Sequence, residues 1–179
     1  MTTESTMLSD IERAAIDRLK ERGLPQVTAY EIKKDSELAP ATPAVRAVIA
    51  DGKFTPVGQK SFRADVTLYV IIIFKHVSDE ESRRKGIYPI LFGAVNLLAG
   101  QKLGLKIDEL VPLSFREITN ARDAEAGLIV FQAPFSTKFY FEKVSDEEAG
   151  ALVKMGLDFY LQDSPDETPD TSSVVELPQ

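Results

Sequence analysis

The stretch SFRADVTLYVIIIF, residues 61–74, decides how this chain folds. Phe62, Ala64, Val66, Leu68, Val70, Ile72 and Phe74 fall on one side of an extended backbone, and Ser61, Arg63, Asp65, Thr67 and Tyr69 on the other. Successive side chains of a strand point to opposite faces, so this alternation predicts one buried and one solvated face. From Val70 to Phe74 both sides turn apolar, and that end is expected to be covered twice. Strands usually run about five or six residues. One of this length should project beyond a single small core, towards a hairpin partner or a neighbouring subunit. The helix predicted over 79–98 carries Ile87, Ile90, Leu91, Ala94, Val95 and Leu98 at three- and four-residue spacing, a stripe fit to lie on a sheet. Pro89 falls inside that pattern and predicts a kink or the true helix start.

Before the long strand, Leu8, Ile11, Ala15 and Leu19 make the stripe of a first helix, with Ser9 and Glu12 at capping-box spacing and Gly23 and Pro25 ending it. Residues 27–32 read as a short strand, 33–43 as a loop and 44–50 as a second strand. Asp51-Gly52 is a turn signal, and 53–58 complete the connection. Beyond Gly100, a connector holding Leu103, Leu105, Ile107 and Leu110 leads to strands at 111–119 and 128–142, with the polar NARDAEAG of 120–127 as a hairpin tip. In the last strand Ile129, Phe131, Ala133, Phe135, Thr137, Phe139 and Phe141 share one side. Pro134 has no N–H to donate, which predicts an edge strand or a bulge. A short helix is expected within 145–161. Hairpin-length connections favour antiparallel pairing, so the fold expected is α+β, a mostly antiparallel sheet with helices packed on one face. One domain is expected over 1–161, followed by an acidic, flexible C-terminal tail over 162–179 that is too polar to bury its backbone.

Composition removes several classes of function. The 179 residues suffice for one domain with a real core. A formal net charge of −7 gives no basic footprint for nucleic acid or an anionic membrane. No run approaches the roughly 20 apolar residues of a membrane span, and the N-terminus lacks the basic and apolar regions of a secretory signal. With no cysteine there is no disulfide, thiolate nucleophile or sulfur-ligated metal. The phosphate-loop, dinucleotide, zinc-protease and nucleophile-elbow patterns are all absent. His76, the single histidine, precedes Asp79, Glu80 and Glu81, acidic residues suited to a helix N-terminus. Arg83, Arg84 and Lys85 follow and pair with those acids at i,i+4 spacing. Phe131, Phe135, Phe139, Tyr140 and Phe141 could form a stacking platform for bases, but strand-spaced aromatics in an acidic chain read as core. No catalytic residue, metal or cofactor is predicted.

The ordered segments IERAAIDRLK, PAVRAVIADGKF, FRADVTLYVIIIFKH, GIYPILFGAVNLLAG, LVPLSFREI and GLIVFQAPFSTKFYF, spanning roughly Ser9 to Phe141, carry a resemblance. The chain resembles the Mu-like family of phage tail proteins that includes the tail terminator. The resemblance implies a virion protein of tail-terminator-like α+β fold, forming a homohexameric ring at the head-proximal end of the tail tube. There it would stop tube and sheath polymerisation and offer a docking surface for the neck or head connector. Its partners would be itself, the tube and sheath proteins and the connector, with no nucleic-acid sequence recognition and no membrane. Arg63, Asp65, Arg116, Arg122, Asp123 and Glu125 are the candidate contacts to a subunit or the tube. Val174, Val175 and Leu177 close the tail as a candidate tether that orders on docking. A neck or tail-completion adaptor is the alternative, and a small hydrolase using His76 with Asp79 or Glu80 a third reading.

Overall fold

In a computed structural model of the chain, described over residues 6–22, 29–31, 42–75, 80–145, 149–150 and 153–154, the elements follow the expected order with additions. They are α1 (Met7–Glu21), β1 (Ala29–Glu31), β2 (Ala44–Pro56), β3 (Ser61–Lys75), α2 (Glu80–Leu98), β4 (Val111–Pro112), β5 (Arg116–Glu117), α3 (Ala121–Glu125) and β6 (Leu128–Glu142). One six-stranded sheet runs β1-β2-β3-β6-β4, with β5 also on β6. It is antiparallel except for β1, which lies parallel to β2. The architecture is the expected α+β one. The chain divides into two compact units, Met1–Glu142 and Lys143–Gln179. All the elements named belong to the first unit; in the second, the helical residues 149–150 and 153–154 include an exposed Val153.

The alternation in β3 builds the core as read. Ala64, Val66, Leu68, Val70, Ile72 and Phe74 are all buried, opposite Phe139, Thr137, Phe135, Ala133, Phe131 and Ile129 of β6. Onto this face α1 sets Met7, Ile11, Ala15, Ile16 and Leu19, and α2 sets Ile87, Ile90, Leu91, Ala94 and Leu98. Each fully buried aliphatic or aromatic side chain contributes about 1.5–3 kcal/mol by leaving water. The helices are tied to each other where the Arg18 Nε donates to the Leu97 carbonyl at 2.7 Å, near the C-terminal end of α2 whose carbonyls have no helical partner. The opposite face carries a small second cluster of Ala44, Ile73, Leu128 and Val130, which explains why the sequence turns apolar on both sides at that end.

Several local expectations are corrected. Asp51-Gly52 is no turn: β2 continues to Pro56, and the chain reverses over 57–60, where the Val57 N–H reaches the Ser61 carbonyl at 3.0 Å. The register slips between Ile49 and Asp51, a bulge at Ala50. Because side chains alternate, one extra residue exchanges the faces. Val45, Ala47 and Ile49 face the helices before it, and Gly52, Phe54 and Pro56 share that side after it. Glycine suits position 52 because a Cβ there would lie 3.0 Å from the Asp65 carbonyl oxygen. Ser9 and Glu12 form no capping box; Thr6 is the N-cap, and its hydroxyl donates to the Asp10 carboxylate at 2.9 Å instead of accepting from a helix N–H. Helix α2 starts at Glu80 and has Pro89 inside it, so Pro89 is not the helix start.

The polar tip is the short helix α3, with Asn120 accepting from the Asp123 N–H at 2.9 Å and the Asp123 carboxylate facing the Asn120 N–H at 3.4 Å. Strand 111–119 is reduced to β4 and β5. Strand β6 is therefore internal, with no edge at Pro134. Leu113 N–H bonds the Pro134 carbonyl at 2.9 Å, so the face of Pro134 lacking an N–H meets the gap between β4 and β5.

Candidate assembly surfaces

Helices α1 and α2 cover only part of their sheet face. At the far end of β2, β3 and β6, Phe62 stacks on Phe141 at a ring separation of 5.5 Å, and Phe54 meets Phe141 edge-on, also at 5.5 Å. Phe139 lies 6.3 Å from Phe141 on the buried side. Phe54 is 65% exposed and Val57 48%. The bulge at Ala50 creates this aromatic tip, since without it Phe54 would face the other way.

A second apolar surface runs along the outer edge. All residues of 111–117 are exposed, among them Val111, Leu113 (57%) and Phe115 (55%). Phe115 packs edge-on against Phe92 of α2 at 6.1 Å, and Phe92 is itself 53% exposed. Isolated exposed apolar residues are ordinary, but contiguous clusters mark contact surfaces.

The sheet face turned away from the helices is polar. Arg63 and Asp65, two apart on β3, pair with both the Nε and Nη2 of the arginine 3.0 Å from the Asp65 Oδ2. Asp51 accepts a hydrogen bond from the Tyr69 hydroxyl, and Arg116 Nε donates to the buried Gln132 at 3.1 Å across the β5–β6 register. An open groove of about 590 Å³ crosses this face, lined by Asp51, Lys53, Asp65, Thr67, Asp108 and Lys138. Lys138 Nζ lies 3.2 Å from the Asp108 carboxylate, so the groove holds paired charges. Among the described residues, no group of three His, Cys, Asp or Glu side chains is placed to hold a metal ion, and no helix is long and apolar enough to cross a membrane.

The predicted contact residues are thus distributed. Arg63, Asp65 and Arg116 lie on the polar face, each already partnered. Arg122, Asp123 and Glu125 share α3, which has no buried residue, and Asp123 closes its cap. Val174, Val175, Leu177, His76, Asp79 and the Glu80 side chain lie outside the described residues. The two apolar surfaces are absent from the sequence reading. Phe92 carried a usable signal, as a large aromatic off the buried stripe of α2; Phe54 was hidden by the false turn before it.

The model of the family described as Bacteriophage Mu, Gp37 matches residues 7–140, from α1 nearly to the end of β6. The chain belongs to that family. Apart from Phe141, one residue past its end, both apolar surfaces of this Gp37-family chain lie within the matched span. Comparison with curated proteins by sequence finds no match. Among solved structures, a chain of the virion of a native gene transfer agent particle is similar in fold, with a TM-score of 0.52 at 9% identity, covering 78% of this chain and 100% of that one.

Proposed function

We propose that this Gp37-family chain is a virion structural protein with no catalytic role: the tail terminator of a phage-like particle. It forms a hexameric ring on the head-proximal end of the tail tube, halts growth of tube and sheath, and receives the neck or head connector. Family membership supports the reading, as does the shared fold with a chain from a virion. The observation that carries it is the projecting sheet, whose aromatic tip and apolar edge are both uncovered in a single copy. Among the described residues, β2 beyond β1 has no strand on its outer side, where Glu12 takes the Ile49 N–H, while β3 is paired on both sides, so of β3 and its hairpin partner it is β2 that can meet a neighbour. Particles made without the chain test the reading. Overlong tubes with tailless heads are expected by electron microscopy. Tails of normal length that fail to join heads would instead identify a neck adaptor.

A further inference from the structure

We propose that the aromatic tip of one copy seats on the Phe92–Leu113–Phe115 edge of a second copy, head to tail. The inference rests on the ring-forming reading in one respect, that the occupant is another copy of this chain. Phe141 at the tip lies seven positions along β6 from Pro134, which accepts from Leu113 at the edge, a span of about 24 Å at strand rise. One copy therefore cannot cover its own edge with its own tip. Two different surfaces that mate make a heterologous contact, which repeats from copy to copy until it closes.

Charge chooses this pairing over tip-to-tip contact. At the tip Arg63 is paired with Asp65, which leaves Lys53 and Lys60 as basic groups against Glu142 opposite Ser61, in a chain of net charge −7. With Asp108 paired to Lys138, the edge segment 109–125 carries Glu109, Glu117, Asp123 and Glu125 against Arg116 and Arg122. Like surfaces meeting would oppose like charges, whereas tip on edge brings opposite signs together. Backbone geometry selects side-chain docking over strand addition. Because Leu113 directs its N–H inward to Pro134, the adjacent Pro112 turns outward, where it has no N–H to offer.

Thiol cross-linking tests this cleanly, since the chain has no cysteine of its own. A chain carrying both Phe54→Cys and Phe115→Cys, mildly oxidised as purified protein and in assembled particles, should give a reducible ladder of multimers. Either substitution alone should stay monomeric, and a mixture of the two single variants should give dimers only. Lys60→Glu should lower the cross-linked fraction about two- to fivefold, the scale of an exposed charge pair. A second pair, Val57→Cys with Leu113→Cys, decides the matter if the first loses its unfolding transition. No ladder in either sample, or dimers from Phe54→Cys alone, overturns the proposal. Overlong tails without a ladder would leave the terminator standing and remove this interface; a ladder with normal tails in the null particle would do the reverse.

Discussion

Asp51 reaches the polar face only because of the bulge at Ala50, and there the hydroxyls of Tyr69 and Thr67 donate to it. The Tyr69 bond, then that of Thr67, holds the Asp51 carboxyl below its ordinary value of 3.8, while the same carboxylate raises the Tyr69 phenol above 10.0. A lowered carboxyl adds stability that is present above its unfolded value and lost as pH falls through the folded one. A raised phenol adds stability present below its unfolded value and lost as pH rises through the folded one. Both losses lie far from neutrality, so the pair contributes steadily there. Tyr69→Phe should bring Asp51 back towards 3.8 in an NMR titration of its carboxyl carbon; an unmoved midpoint would refute the assignment. At Gly86 the constraint is space. A Cβ would stand 2.4 Å from the Cζ of the buried Phe74 ring. Overpacking costs roughly 1–3 kcal/mol against about 1 kcal/mol recovered in helix propensity. Gly86→Ala should therefore lower the urea midpoint, and adding Phe74→Leu should restore part of it.

Helix α1 is fastened to the outer side of β2 by the Ile49 N–H donating to the Glu12 carboxylate at 2.7 Å. A hydrogen bond to a charged group contributes about 1.5–3 kcal/mol. Glu12→Ala should cost an amount in that range and speed amide exchange at Ile49, while Glu12→Gln, which keeps an acceptor, should lose less. For α3, Arg122→Ala with Glu125→Ala is the informative pair, since Asp123 closes the cap. Folding should be unchanged and particle yield reduced if this tip touches a neighbour. The long elements were legible because burial writes a period into the sequence: β3 and β6 alternate in twos, and α2 repeats in threes and fours. What failed was local. A bulge looks like a turn when its glycine follows an aspartate. The Asn120–Asp123 cap hid in a segment read only as polar, and Glu12 had the spacing for a cap but a partner 37 residues away. The contact aromatics were illegible for another reason. Phe54 and Phe141 have the same chemistry as core phenylalanines, and only the limited reach of the helices leaves them uncovered.

For the whole molecule, residues 163–179 lie outside the first unit, Met1–Glu142. Deleting residues 163–179, with Val174, Val175 and Leu177, should leave the cooperative unfolding of the first unit intact and reduce joining of tails to heads. Full infectivity of particles carrying the deletion would refute a tether. The projecting sheet also governs how such a protein can change length between lineages. Strands β3 and β6 are matched over 15 consecutive positions, from Ser61 opposite Glu142 to Lys75 opposite Leu128. Inserting one residue would turn every phenylalanine beyond it onto the polar side. Only insertions of two, made together in β2, β3 and β6, keep the faces, and each adds about 7 Å. The reach of the tip is thus inherited in steps, and relatives that bridge wider gaps should differ by even numbers of residues in all three strands.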